Sequence, residues 1–165
     1  RQMCIRDRRE DIAHKVAIAA IKFADLQNQR QSDYVFDLDR MTSFEGKTGP
    51  YLLYQAVRIA SLLRKAGDVD EQARLHLQDA DMPLALLLTE FPDHFEGALK
   101  NHAPHILCDY VFKLAQGFSS FYAACHILSE EDAVLRASRL ALCSKVYQQI
   151  VTILDLLGIE VPERM

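Results

Sequence analysis

The stretch DYVFDLDRMTSFEGKTGPYLLYQAVR, residues 33–58, constrains this chain more than any other, because a turn-rich segment runs straight into an amphipathic helix. Gly46, Gly49 and Pro50 punctuate the turn, and proline is best tolerated in the first turn of a helix, where its missing N–H has no partner to lose. The helix is expected from Pro50 to about Ala66, with Gly67 as its stop. At about 100° per residue, Leu52, Leu53, Ala56, Ala60 and Leu63 fall on one side, and Tyr51, Tyr54 and Arg58 on the other. An apolar face thus opposes one bearing two phenols and a guanidinium.

The same helical rhythm runs through the rest. Ile12, Val16, Ala19, Ala20, Phe23 and Ala24 predict a long helix from Glu10 to about Gln29. Tyr34 to Leu38 has a brief strand-like pattern, but Ser43 to Gly49 is turn chemistry, so the segment reads as an ordered loop. Asp68 to Asp81 is acidic and ambiguous, and is taken as part of a helical hairpin. Pro83 opens a short helix, Leu84–Phe91, that Pro92 closes, and another follows over His94–Asn101. Leu107, Val111, Leu114, Phe118, Phe121, Tyr122 and Cys125 form the stripe of a long helix starting at Pro104. Ser129 and Asp132 resemble a capping box for the last helix, whose inner face is Leu135, Leu142, Val146, Ile150, Ile153 and Leu157 and whose stop is Gly158. The expected fold class is all-α, a helical bundle.

At 165 residues, half of them apolar, the chain is long enough for one domain with a proper core. It has neither a run of about eighteen apolar residues nor a leader with a cleavage site, so no membrane association is expected and a cytoplasmic setting is the default. Cys4, Cys108, Cys125 and Cys143 form no C-x-x-C pair and are read as reduced thiols. The net charge is −4, and residues 104–165 carry five Lys or Arg against seven Asp or Glu. Such a balance lacks the basic footprint usual in a nucleic-acid binder, so any RNA must be held by shape, stacking and a few placed cations.

Tyr54 and Arg58 stand one turn apart and can jointly offer a stacking surface and a charge to a nucleotide, although spacing alone favours an ordinary phenol–guanidinium contact on a solvated face. Phe118, Phe121 and Tyr122 read first as core material. Met165 reads as a tail residue. His94, His102 and His105 lack a second pair at metal spacing, so no metal site is expected. Asp37 and Asp39 have no nucleophile beside them, which favours a capping role, and no catalytic residue is expected.

The residues Phe44 to Tyr54, FEGKTGPYLLY, with Arg58 four further on, resemble the F-E-G-x-T-G-P-Y-x-x-Y-x-x-x-R signature of arginyl-tRNA synthetases, class I enzymes that charge tRNA with arginine. FSSFYAACHIL, LRASRLAL and the closing LDLLGIEVPERM resemble the last helices of that family's anticodon-binding domain. The resemblance covers about residues 9–165 in order. Residues 1–8, RQMCIRDR, do not match it and look like adapter read-through.

The resemblance implies the following organisation. Residues 9–49 would be the end of the catalytic domain and 50–165 an α-helical anticodon-binding domain of an arginine–tRNA ligase. Its partners would be the anticodon stem-loop of tRNA(Arg) and the remainder of the catalytic domain, and a monomer is expected. Tyr54, Arg58 and Tyr122 match residues that face or stack on the anticodon loop, and Met165 would belong to the anticodon pocket. Gln55 and Ala56 stand where the commoner pattern has Ala and His, so that histidine's role does not carry over. The full-length enzyme uses ATP through a His-x-Gly-His element and a Lys-Met-Ser-Lys-Ser-like loop. Neither occurs here, so this piece is expected to bind no cofactor and to be inactive alone. The alternative is a stand-alone helical module that binds RNA or protein without catalysis.

Overall fold

The computed structural model describes residues 2–165, with side chains from residue 7 onward. Seven helices account for its regular structure: α1 Gln2–Leu26, α2 Leu38–Thr42, α3 Gly49–Ala66, α4 Met82–Thr89, α5 Phe91–Asn101, α6 His105–Ala124 and α7 Ala133–Leu156. No strand occurs among the described residues, as the all-α expectation required. The backbone of residues 2–8 is part of α1, while Arg1 and the side chains up to residue 6 lie outside the described residues, and with them most of the stretch read as read-through.

Helix α3 is the centre of the bundle, packed against α1, α6 and α7. Its start is built as the turn residues suggest. Thr48 is the N-cap, its hydroxyl oxygen accepting from Tyr51 N–H at 3.2 Å while donating to the Ser43 carbonyl at 2.6 Å. Gly49 is required by a close approach, since a Cβ there would stand 2.1 Å from the Ala19 carbonyl oxygen of α1. Leu52, Leu53, Ala56 and Ile59 are fully buried between this crossing and α7, joined by Ala19 and Phe23 of α1. From α6 come Tyr110, Val111, Leu114 and Phe118, and from α7 Leu142, Val146, Ile150 and Ile153. The Tyr110 hydroxyl donates to the Leu87 carbonyl at 2.8 Å, which ties α4 to α6.

Several boundaries differ from the sequence reading. The segment 34–42 is not wholly loop, because Asp37 accepts from Arg40 N–H at 3.1 Å and starts the short α2. Pro92 opens α5 rather than closing α4, and α5 starts at Phe91. Asp132, not Ser129, caps α7, its carboxylate accepting from Val134 N–H at 2.8 Å and Leu135 N–H at 3.2 Å. A carboxylate at the N-cap reaches those donors directly, so no capping box is needed.

Residues 68–81 are not helical. Side chains of α7 order this segment instead. His76 N–H donates to Ser138 Oγ at 2.8 Å, and Glu71 accepts from Ser144 Oγ at 2.8 Å and Gln148 Nε2 at 3.0 Å. At its end Asp81, fully buried, accepts from Arg139 Nε at 3.1 Å, and Arg139 Nη1 donates to Glu130 at 2.7 Å. With its polar groups satisfied from across the bundle, the segment has no need of an intrahelical ladder. Arg139 is thereby a buried structural cation and leaves the set of surface charges.

Candidate nucleic-acid interface

One stripe of α3 carries Tyr54, Val57, Arg58, Ser61 and Lys65, the i, i+3, i+4, i+7 pattern of neighbours on a helix surface. Leu53 and Ala56 on the opposite side are held in the core, which fixes how this stripe faces outward. Beside it lies the last turn of α6, where Tyr122 follows the buried Phe118 by one turn, the two rings tilted at 5.9 Å between centroids. Arg58 bridges the helices, its guanidinium carbon 4.3 Å from the centre of the Tyr122 ring. That is cation–π distance.

These groups line a cleft of about 270 Å³, closed by Leu128 from the segment after α6 and by Met165. All four site residues named from the sequence, Tyr54, Arg58, Tyr122 and Met165, therefore border one cavity. Tyr54 is 46% exposed, Tyr122 37% and Met165 42%, so each offers an apolar surface to a ligand while remaining anchored. Two half-exposed rings, a thioether and two cations, Arg58 and Lys65, suit a flat, electron-rich ring attached to an anion.

Tyr51 does not join this face. Its ring packs edge-on against Phe112 of α6 at 5.6 Å, so it belongs to the bundle's interior side. Gln55 is 3% exposed and does not line the cleft. Lys65, seven residues beyond Arg58 on the same face, is a cation that the sequence already offers for a phosphate contact, whereas Leu128 and Ser61 were not among the site residues named from the sequence. Counting outward from Tyr54 by helical steps reaches Ser61 and Lys65, whereas nothing in the local sequence marks Leu128.

The other candidate groups have ordinary roles. His94 stacks on Tyr110 at 4.6 Å and faces Glu90, with its Nε2 3.6 Å from the carboxylate. His102 ends α5 in the left-handed conformation. Among the described residues no three His, Cys, Asp or Glu side chains gather to hold a metal ion. None of the helices is long and apolar enough to cross a membrane, again among the described residues. Cys108 and Cys143 are buried free thiols, each pushed up to about 12 by desolvation.

Known proteins give this geometry a family. The residue pattern of the DALR anticodon binding domain matches residues 52–165. The arginine–tRNA ligase of Hyphomonas neptunium is 54% identical over 159 residues, covering 95% of this chain and 27% of that protein. That of Maricaulis maris is 53% identical over 156 residues, covering 93% and 26%. Among solved structures, the Thermus thermophilus arginyl-tRNA synthetase superposes with a TM-score of 0.87 at 32% identity, over 94% of this chain and 28% of that one. The chain thus spans about a quarter of the length of these relatives. It belongs to the DALR anticodon binding domain family and is homologous to the C-terminal region of arginine–tRNA ligases.

Proposed function

We propose that this chain is the anticodon-reading part of an arginine–tRNA ligase and that it grips the anticodon loop of tRNA(Arg) in the cleft between α3 and α6. The observation that carries this reading is the convergence of Tyr54, Arg58, Tyr122 and Met165 on one cavity. A base stacks on an exposed ring irrespective of its identity, and cations beside the ring neutralise the flanking phosphate. Selectivity among bases would come from edges that reach the Tyr54 hydroxyl or the backbone near Met165.

In the same reading, residues 9–49 are the end of the catalytic domain, and the remainder of that domain is the chain's covalent partner. ATP and arginine bind there, in the cytoplasm, and a single copy of the ligase suffices for one tRNA. This chain's own task is to bind and orient. The test is fluorescence anisotropy with a labelled anticodon stem-loop of tRNA(Arg), beside a stem-loop whose central anticodon base is replaced. Loss of affinity on that single replacement is expected. Equal binding of the two would refute base reading by the cleft.

A further inference from the structure

Beyond α7 the chain turns back across α1 and α3, and contacts fix its course almost residue by residue. Gly158, at φ +69°, ends α7 in a Schellman motif, with Ile159 N–H donating to the Leu154 carbonyl and Gly158 N–H to the Asp155 carbonyl, each at 2.8 Å. That turn sends Ile159, 1% exposed, into the core, and Pro162 is buried after it. The intervening polar groups meet cations from the neighbouring helices. Lys22 Nζ of α1 donates to the Gly158 carbonyl at 2.5 Å, and a Cβ at residue 158 would stand 2.7 Å from that Nζ. Lys15 Nζ pairs with Glu160 at 2.7 Å and with Asp11 at 3.2 Å. Arg64 Nη1 of α3 donates to the Glu163 carbonyl at 3.4 Å. Two residues later Met165 reaches the cleft.

We propose that Lys15, Lys22 and Arg64 are positioning residues for RNA binding, holding residues 158–163 in place so that Met165 closes the cleft. This rests on the reading of the cleft as the base-binding site. A segment that no contacts hold samples many conformations, and ordering it on binding costs affinity. Here the strap is ordered before a ligand arrives. None of the three cations lines the cleft, so their effect on binding must pass through the strap.

The full chain, labelled at its methionine methyls, separates the possibilities. Lys15→Gln with Lys22→Gln removes both α1 clasps, while Lys15→Arg with Lys22→Arg keeps charge and reach, and each pair is made with and without Met165→Ala. Nuclear Overhauser contacts from the Met165 methyl to the Tyr54 and Tyr122 rings are expected in the parent and the arginine pair and absent in the glutamine pair. Affinity for the tRNA(Arg) anticodon stem-loop should fall about three- to tenfold in the glutamine pair, recover in the arginine pair, and show no further loss once Met165 is alanine. Methyl contacts that survive in the glutamine pair would overturn the proposal. So would an equal loss of affinity with and without Met165, since the lysines would then act on RNA or on the fold directly. Failure of the parent to bind the stem-loop at all would refute the base-binding reading instead, leaving the methyl contacts to decide the positioning role.

Discussion

Arg58 of α3 sits over the ring of Tyr122 of α6 with its guanidinium carbon 4.3 Å from the ring centre, so the cation occupies the ring face that a base would take. An incoming base either stacks on the outer face of the guanidinium or displaces it. In both cases the two side chains act as one unit. Tyr122→Ala is therefore expected to weaken stem-loop binding by about 1–3 kcal/mol, and Arg58→Ala by a similar amount. The double variant should lose much less than the sum, which a double-mutant cycle measured by anisotropy reads directly. Additive losses would mean that the two residues contact the RNA independently.

Salt dependence follows from the few cations left free. Arg139 is tied to Asp81 and Glu130, and Lys145 donates to the Glu71 carbonyl at 3.3 Å, which leaves Arg58 and Lys65 at the cleft. Each phosphate neutralised contributes a slope of roughly −0.7 to −0.9 in log K against log salt. With Arg58, Lys65 and at most two further cations engaged on a single-stranded loop, a slope no steeper than about −3 is expected across a salt series. A much steeper value would locate the binding energy on a basic surface elsewhere.

The Asp81–Arg139 pair carries a stability prediction. Its side chains are 1% and 8% exposed, and Arg139 has Glu130 as a second acidic partner, so it is the loss of Arg139 that leaves a buried, uncompensated carboxylate at Asp81. Arg139→Ala should cost about 3–5 kcal/mol in chemical unfolding, and Asp81→Ala less, because Arg139 then still pairs with Glu130. Replacing Asp81 and Arg139 together by apolar residues of similar volume should cost less than either single change.

Thiol chemistry should report on folding as a whole. Desolvation pushes Cys108 and Cys143 up to about 12 from an ordinary 9.0 and also raises Cys125. Between pH 9.0 and about 12 the unfolded thiols ionise while the folded ones stay protonated. The unfolded state then holds fewer protons, so stability should be intact below that window and fall through it as pH rises. Tyr110, raised by burial, adds to the same fall. Alkylation of these three cysteines at pH 8 should occur only on addition of denaturant, and mass spectrometry of the labelled chain checks this.

Catalysis is expected to be absent from this chain alone. It carries no His-x-Gly-His and no Lys-Met-Ser-Lys element to stabilise reacting phosphates. Arginine-dependent pyrophosphate exchange should stay at background, and measurable exchange would show that other residues hold ATP.

Local signals made part of this molecule legible in advance. The glycine and proline that begin α3, Gly49 and Pro50, are adjacent, and the stripes of α6 and α7 repeat over several turns. Residues 68–81 gave no such signal because their order comes from Ser138, Arg139 and Ser144, more than sixty positions away for His76, which bonds Ser138 across a separation of 62. Arg139 reads as one more surface cation until its acidic partners are placed around it. Of the cleft, the α3 half follows from helical spacing. Leu128 and the tail's route to Met165 depend on how α6 and α7 are joined and stopped, which no short motif records.

At the crossing of α1 and α3 there is no side chain between the backbones, since a Cβ at Gly49 would stand only 2.1 Å from the Ala19 carbonyl oxygen. A soft joint needs compressible material, and this one has none. The crossing sits one to three turns before Tyr54 and Arg58 on the same helix. Backbone contact at Gly49 thus ties the placement of α1 directly to that of the helix that carries half of the cleft.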